Sequence, residues 1–213
     1  MSQQQREEKM KRKILVIKSE VLYNDKQFEG FCSAWDYDFE QIILKNFEYQ
    51  IRGIMETDAS YQQAIPYAII VNPNTNKIIA YQRGWNDSVA GETRLHGKRS
   101  LWVGGHIELE EKDSPNPLHA TLIKEIQEEI GVKSLLNVKV IWYINDNTDE
   151  VGKVHFGILY VVYTDENNVH IGDGELKQVF FKNIDEIEEI MNSENCDVES
   201  WSRIAREAYK NMM

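Results

Sequence analysis

Cysteine is almost missing from this chain of 213 residues: Cys32 and Cys196 are the only two. They form no CxxC motif and are too few for a disulfide framework, which fits a reducing compartment. Long hydrophobic runs are missing as well. The longest, Gly157 to Tyr163, is far short of the roughly 18 residues that a membrane span requires. The polar start, Met1 to Lys13, lacks the apolar core of a secretory signal. Positive charge is in deficit, with 24 Lys and Arg against 35 Asp and Glu, a net charge of −11. That balance argues against a nucleic-acid duplex or an anionic membrane as partner, since both are polyanions. No P-loop, HExxH or GxSxG motif occurs, so the enzyme classes that depend on them find no support. A cytoplasmic protein is the expectation.

What is present suits one globular fold. Hydrophobic residues make up 42% and aromatic residues 10%, and a fold of this size buries roughly 70% of its extended-chain surface without needing disulfides or structural metal. There is no repeat, low-complexity tract or linker. Residues 1–12 are charged and glutamine-rich, a composition expected to fray. Lys13 to Ile17 reads as a strand. Phe39, Ile42, Ile43, Phe47, Ile51 and Ile54 recur at three- and four-residue spacing, which predicts a helix over about 38–52. Residues 1–60 are therefore expected to form an extension packed on a main domain, 61–213.

In that domain Tyr67–Val71 and Lys77–Tyr81 flank Asn72-Pro-Asn-Thr-Asn76 and predict a hairpin. A polar loop over 84–99 leads into a strand, Ser100–Val103. Asn116 as N-cap, Pro117 at the first helical position and Gly131 as terminator punctuate a helix. Val138–Ile144, Val154–Tyr163 and Val179–Phe181 read as strands, and helices near 184–191 and 198–211 close the chain. The order implies a mixed α/β layered fold, not a regular βαβ alternation.

The informative stretch lies around that central helix. At 100° per residue, Glu125, Glu128 and Glu129 share an arc of about 100°. That arc borders the apolar stripe of Leu118, Leu122, Ile126 and Ile130. Like charges so placed destabilise a helix by roughly 0.2–0.5 kcal/mol per pair. A hard divalent cation removes the conflict, because Mg²⁺ prefers oxygen ligands and shares its shell with substrate phosphates. From Gly105 to Gly131 there are seven acids and two lysines, a balance of −5. An E-x-x-E-E pattern alone is more often a solvated helix face. The ordered set of glycine, glutamate, helix glutamates and glycine is what changes the odds.

In that order the sequence resembles the Nudix (MutT-like) hydrolase family, whose box runs G-x5-E-x7-R-E-U-x-E-E-x-G-U, with U aliphatic. Gly105 and Glu111 match its opening, and Glu125, Ile126, Glu128, Glu129, Gly131 and Val132 match its close, so the box spans 105–132. Two features depart. Twelve residues separate Glu111 from position 124 where the family has seven, an insertion expected in the loop before Asn116, and Lys124 replaces the arginine. Gln63-Ala-Ile-Pro-Tyr67, Arg94-Leu-His-Gly97 and Gly-Gly-His106 resemble a bacterial branch described as predicted phosphoesterases. Glu199-Ser-Trp-Ser202 is similar to a common Nudix ending. The resemblance covers about residues 64–210.

The resemblance implies an α/β/α sandwich with a mixed sheet, to which residues 1–60 add an α+β extension. It implies a hydrolase acting on the diphosphate linkage of a nucleoside diphosphate bonded to another group, or a related organic diphosphate, with Mg²⁺ or Mn²⁺. Glu125, Glu128 and Glu129 would be metal ligands, one of them also a base, with the carbonyl of Gly105 as a further ligand. Lys124, together with Glu111, would orient the cluster. Arg83, Arg94, His96 and His106 are candidates for substrate binding, Glu150 and Glu175 for additional ligands, and Trp85 for stacking on a base, whereas Trp102 reads as core. The partner implied is a small-molecule diphosphate or nucleotide, and many relatives form homodimers. The alternative reading is a catalytically weak Nudix-like nucleotide-binding or regulatory protein. An isoprenoid diphosphate isomerase ranks low, since neither cysteine lies near the glycine pair.

Overall fold

A computed structural model describes residues 3–83, 99–100, 102–167, 169–170, 176–192 and 198–210. The first part of the chain forms α1 (Gln3–Lys11), β1 (Lys13–Lys18), α2 (Ser19–Tyr23), β2 (Gly30–Ser33), α3 (Phe39–Asn46), β3 (Glu48–Ile51) and α4 (Arg52–Met55). Then come β4 (Tyr61–Asn72), β5 (Lys77–Arg83), β6 (Arg99–Ser100) and β7 (Val103–Gly104). A 3₁₀ turn (Leu109–Asp113) precedes α5 (Pro117–Ile130), and β8 (Asn137–Asn145), β9 (His155–Tyr163), β10 (Leu176–Lys182), α6 (Ile184–Asn192) and α7 (Ser200–Lys210) follow. Among the described residues, no helix is long and apolar enough to cross a membrane.

The described strands join one mixed sheet, in the order β10-β5-β4-β9-β8-β2. β4 and β9 pair in parallel over nine residues, Gln63↔His155 to Val71↔Tyr163, and the other pairings are antiparallel. The side of β4 opposite β9 is shared in turn by β1, β7 and β5. Pro66, which cannot donate to a ladder, falls where the partner changes from β1 to β7.

The two faces of β4 divide the core. Ala64, Ala68 and Ile70 point into one apolar cluster with Leu22 of α2, Phe39 and Ile43 of α3, and Leu118, Leu122, Ile126 and Ile130 of α5. Ile65, Tyr67, Ile69 and Val71 point into the other, with Ile187 of α6 and Ala205 of α7. Alternate residues of one strand thus serve two helical layers, as period-2 geometry requires. The result is the expected α/β/α sandwich.

Local differences from the sequence reading have physical causes. The helix expected over 38–52 stops at Asn46. Asp38 caps its start by accepting from the Gln41 amide at 3.0 Å. Beyond Phe47, residues Glu48 to Ile51 pair antiparallel with β1 instead, so a tertiary ladder overrides the helical spacing. The terminus expected to fray contains α1, built from good helix formers and packed on α4. The strand expected over Ser100–Val103 is divided into β6 and β7. Trp102 lies between them, 1% exposed, its carbonyl accepting from the Tyr81 hydroxyl. Most of the loop expected at 84–99, residues 84–98, lies outside the described residues.

Candidate functional site

Helix α5 carries its punctuation as the sequence implies. The Asn116 side chain accepts from the His119 amide at 3.1 Å, Pro117 occupies the first turn, and Gly131 ends the helix in the left-handed region at φ 69°. Only a residue without Cβ takes that conformation without strain. Leu118, Leu122, Ile126 and Ile130 are all fully buried, which fixes the rotation of the helix and hence its glutamate edge. Glu129 is buried at 3% exposure, Glu125 is half-buried and Glu128 faces solvent.

The glycine pair brings backbone against that edge. β7 lies so close to β4 that a Cβ on Gly104 would overlap the Pro66 carbonyl and stand 2.8 Å from the Tyr67 ring. On Gly105, a Cβ would stand 2.8 Å from the Glu125 carboxylate. Gly105 and Glu125, twenty residues apart in sequence, are thereby in direct contact. Glu111 joins from the 3₁₀ turn: Lys124 Nζ donates to its Oε1 at 3.2 Å. The additional residues before position 124 leave α5 unbroken, and lysine still spans the gap to Glu111. Burial pulls the Lys124 ammonium downward, but the Glu111 hydrogen bond and the fields of Glu111, Glu128 and Glu125 outweigh it and raise its pKa.

The first sixty residues hold the box's opening segment in place. The Leu15 amide of β1 donates to the Ile107 carbonyl at 2.8 Å, and Ile14 pairs with Glu108. Arg12 Nη1 reaches both oxygens of Glu108, at 2.8 and 2.9 Å. Burial and the nearby charges of Glu111, Asp113 and Glu110 push the Tyr49 phenol of β3 up to about 12. Gly105, Glu111, Glu125, Glu128 and Glu129 offer a carbonyl and carboxylates, all hard oxygen donors, and Gly105 leaves room for the carboxylate of Glu125. That donor set fits Mg²⁺ or Mn²⁺ and not a soft metal.

The geometry can be set beside known proteins. No family model matches the chain. Protein YmaB of Bacillus subtilis (strain 168) is 34% identical over 112 residues, a match spanning 51% of this chain and 52% of that protein. The chain thus matches about half the length of this curated relative. The crystal structure of Tm1382, a candidate Nudix hydrolase, superimposes with a TM-score of 0.76 at 26% identity, over 94% of this chain and 100% of that one. The chain has the fold of a Nudix protein. A further Nudix domain, that of Shewanella oneidensis NrtR in complex with ADP ribose, shares the fold at a TM-score of 0.54 and 13% identity, over 71% of this chain and 88% of that one.

The remaining candidates for a Nudix site fall in various places. Arg94 and His96 lie outside the described residues, as do Trp85, Glu175 and Cys196. Arg83 ends β5, and the described structure covers its backbone. Glu150 is an exposed residue paired with Lys153 at 2.5 Å. Trp102 is core. Glu199, at the start of α7, is buried and accepts from the Tyr67 hydroxyl at 3.0 Å. His106 turns to Gln63 and His155. Burial, then the fields of Arg52, His155 and Lys9, hold its imidazole well below the usual 6.5. Tyr49 and His155, which stand near the box, carried no motif in the sequence. Only the pairing of β3 with β1, and of β9 with β4, brings them there.

Proposed function

We propose that this Nudix protein is a metal-dependent hydrolase of the diphosphate linkage in a nucleoside diphosphate bonded to another group, or in a related organic diphosphate. The observation that carries the reading is the contact of the Glu125 carboxylate with Gly105, on the helix edge that also bears Glu128 and Glu129. A substrate diphosphate would be repelled by this acidic edge alone. A divalent cation held by these carboxylates would offset their charge and would supply Lewis-acid chemistry for hydrolysis at phosphorus.

The chain's own groups have separable roles in this reading. Glu125, Glu128, Glu129 and the Gly105 carbonyl would hold the cation. Lys124, paired with Glu111, fixes the loop against the helix. Exposed Glu128 stands where solvent and substrate meet, while buried Glu129 anchors the helix edge. Attack by water forms one P–O bond as its proton passes to a carboxylate of the helix edge, and the bridging P–O bond breaks with its electron pair leaving on the departing phosphate, giving two phosphate-bearing products. The ADP ribose held by the NrtR domain supports a nucleoside diphosphate derivative as ligand. The charge balance and sparse cysteine support a cytoplasmic protein acting on small molecules.

A panel of nucleotide sugars, dinucleotide cofactors, nucleoside triphosphates and isoprenoid diphosphates, with and without Mg²⁺, tests the reading. Metal-dependent cleavage of any member supports it. Tight binding without turnover across the panel would replace it with the regulatory alternative, and rearrangement without cleavage with the isomerase.

A further inference from the structure

A different set of side chains converges beside the box. Glu56 lies just beyond α4, His106 follows Gly105, and His155 opens β9. One ligand atom from each lies within 4.8 Å of the others. His155 is buried at 6% exposure, and the other two are half-buried. The two imidazoles meet Nε2 to Nε2 at 3.2 Å, their rings at 76° to one another.

The surrounding hydrogen bonds fix which atoms face inward. His155 Nδ1 lies 2.6 Å from the Val151 carbonyl. A carbonyl can only accept, so Nδ1 carries the proton and Nε2 presents its lone pair. Gln63 is set in the same way: its amide nitrogen donates to the Met55 carbonyl at 3.2 Å, and its Oε1 faces His106 Nε2 at 2.8 Å. Arg52 Nε holds the Glu56 carboxylate at 2.9 Å. His106 Nε2 therefore looks at two acceptors, with a single proton between them.

We propose that Glu56, His106 and His155 form a second metal site, for a borderline divalent cation such as Zn²⁺, completed by Gln63 Oε1 or water. Imidazole nitrogens favour Zn²⁺ over Mg²⁺, and two histidines with one carboxylate and an open position is an established zinc set. Two nitrogens 3.2 Å apart with bonds of about 2.0–2.1 Å subtend about 103° at the metal, near the tetrahedral angle. The His155 Nδ1–H bond to a carbonyl is the outer contact that ligating histidines make, and the Arg52 bond to Glu56 is its carboxylate counterpart. The cation takes the place of the proton on His106 Nε2, which moves to Nδ1, so the ring stays neutral. Occupied, the site ties the end of α4 to the residue after Gly105 and so steadies the box from behind. Its two imidazole donors set it apart from the all-oxygen carboxylate edge, and it does not depend on the hydrolase reading.

The test uses the full chain, stripped with chelator and titrated with Zn²⁺ by calorimetry and with Co²⁺ by visible and NMR spectroscopy. In the Glu128→Gln/Glu129→Gln background, one Zn²⁺ equivalent is expected to remain. His106→Ala or His155→Ala should weaken it at least about 100-fold. Co²⁺ in the same background should shift the imidazole resonances of two histidines, a readout that needs no histidine substitution and so does not depend on a variant folding. No Zn²⁺ equivalent in that background, Zn²⁺ affinity unchanged in a folded His155→Ala variant, or fewer than two shifted imidazoles would overturn the site.

Discussion

The Glu125 carboxylate rests on the α-carbon of Gly105, in a space that a single methyl group would occupy at 2.8 Å from Cδ and Oε1. This contact joins the first residue of the box to its helix, and it makes a sharp prediction. Gly105→Ala pushes the carboxylate aside while asking nothing unusual of the backbone. Misplacing a reacting or ligating group by about 1 Å lowers rates by as much as about 100-fold. The variant should lose at least tenfold in kcat/KM and in Mn²⁺ affinity, with an unfolding midpoint close to the parent's. Steady-state kinetics and a Mn²⁺ titration check this, and unchanged values in both would refute the role given to the contact.

Lys124 and Glu111 supply a second test. Lys124 is about half-exposed, its side chain 42% accessible, whereas that of Glu111 is 10% accessible. Solvent screening limits the pair to about 1 kcal/mol of stability, so Lys124→Ala should destabilise by that order while slowing turnover. Lys124→Arg should restore both. Because the folded-state pKa is raised, the contribution is fully present below the unfolded value and is lost only as pH rises through the raised one. Denaturant midpoints of parent and Lys124→Ala should therefore differ by a constant amount from about pH 6 to about pH 9.

A third prediction concerns Glu40 of α3, which ties the first sixty residues to the main layers. Its carboxylate accepts from the Tyr160 hydroxyl at 2.7 Å and lies 3.4 Å from His119 Nε2. Burial raises its pKa, but the hydrogen bonds from His119 and Tyr160 prevail and bring it below the usual 4.5. A depressed pKa contributes stability above the unfolded value, and that stability is lost as pH falls through the folded one. Glu40→Gln should be destabilised by about 1–2 kcal/mol at pH 7. The difference should shrink as pH falls below 4.5, measured by urea unfolding at both ends. A difference independent of pH would contradict this assignment.

Much of this was legible in the sequence where local chemistry and tertiary demand agree. The helix at Pro117–Ile130 was readable because cap, proline, apolar stripe and terminating glycine all pointed the same way. The hairpin across Asn72–Asn76 was readable from its turn residues. Phe47 to Ile51 misled, because helical spacing there competes with a ladder to β1 that only the folded chain reveals. The carboxylate arc was visible from periodicity, since its members lie within five residues of one another. The cluster of Glu56, His106 and His155 was not. Its members are tens of residues apart, and a lone histidine carries no spacing signal. The contact between Gly105 and Glu125 was implied by the family pattern, but its closeness comes only from the way β7 packs on β4.

The most direct measurement is cleavage of the diphosphate panel by the parent chain, Glu128→Gln and Glu129→Gln, each with and without Mg²⁺, followed by product analysis. The account predicts turnover by the parent that requires metal. It predicts a loss of at least about 100-fold in either variant, with circular dichroism unchanged. Turnover that persists after chelation, or equal turnover in parent and both variants, would contradict it.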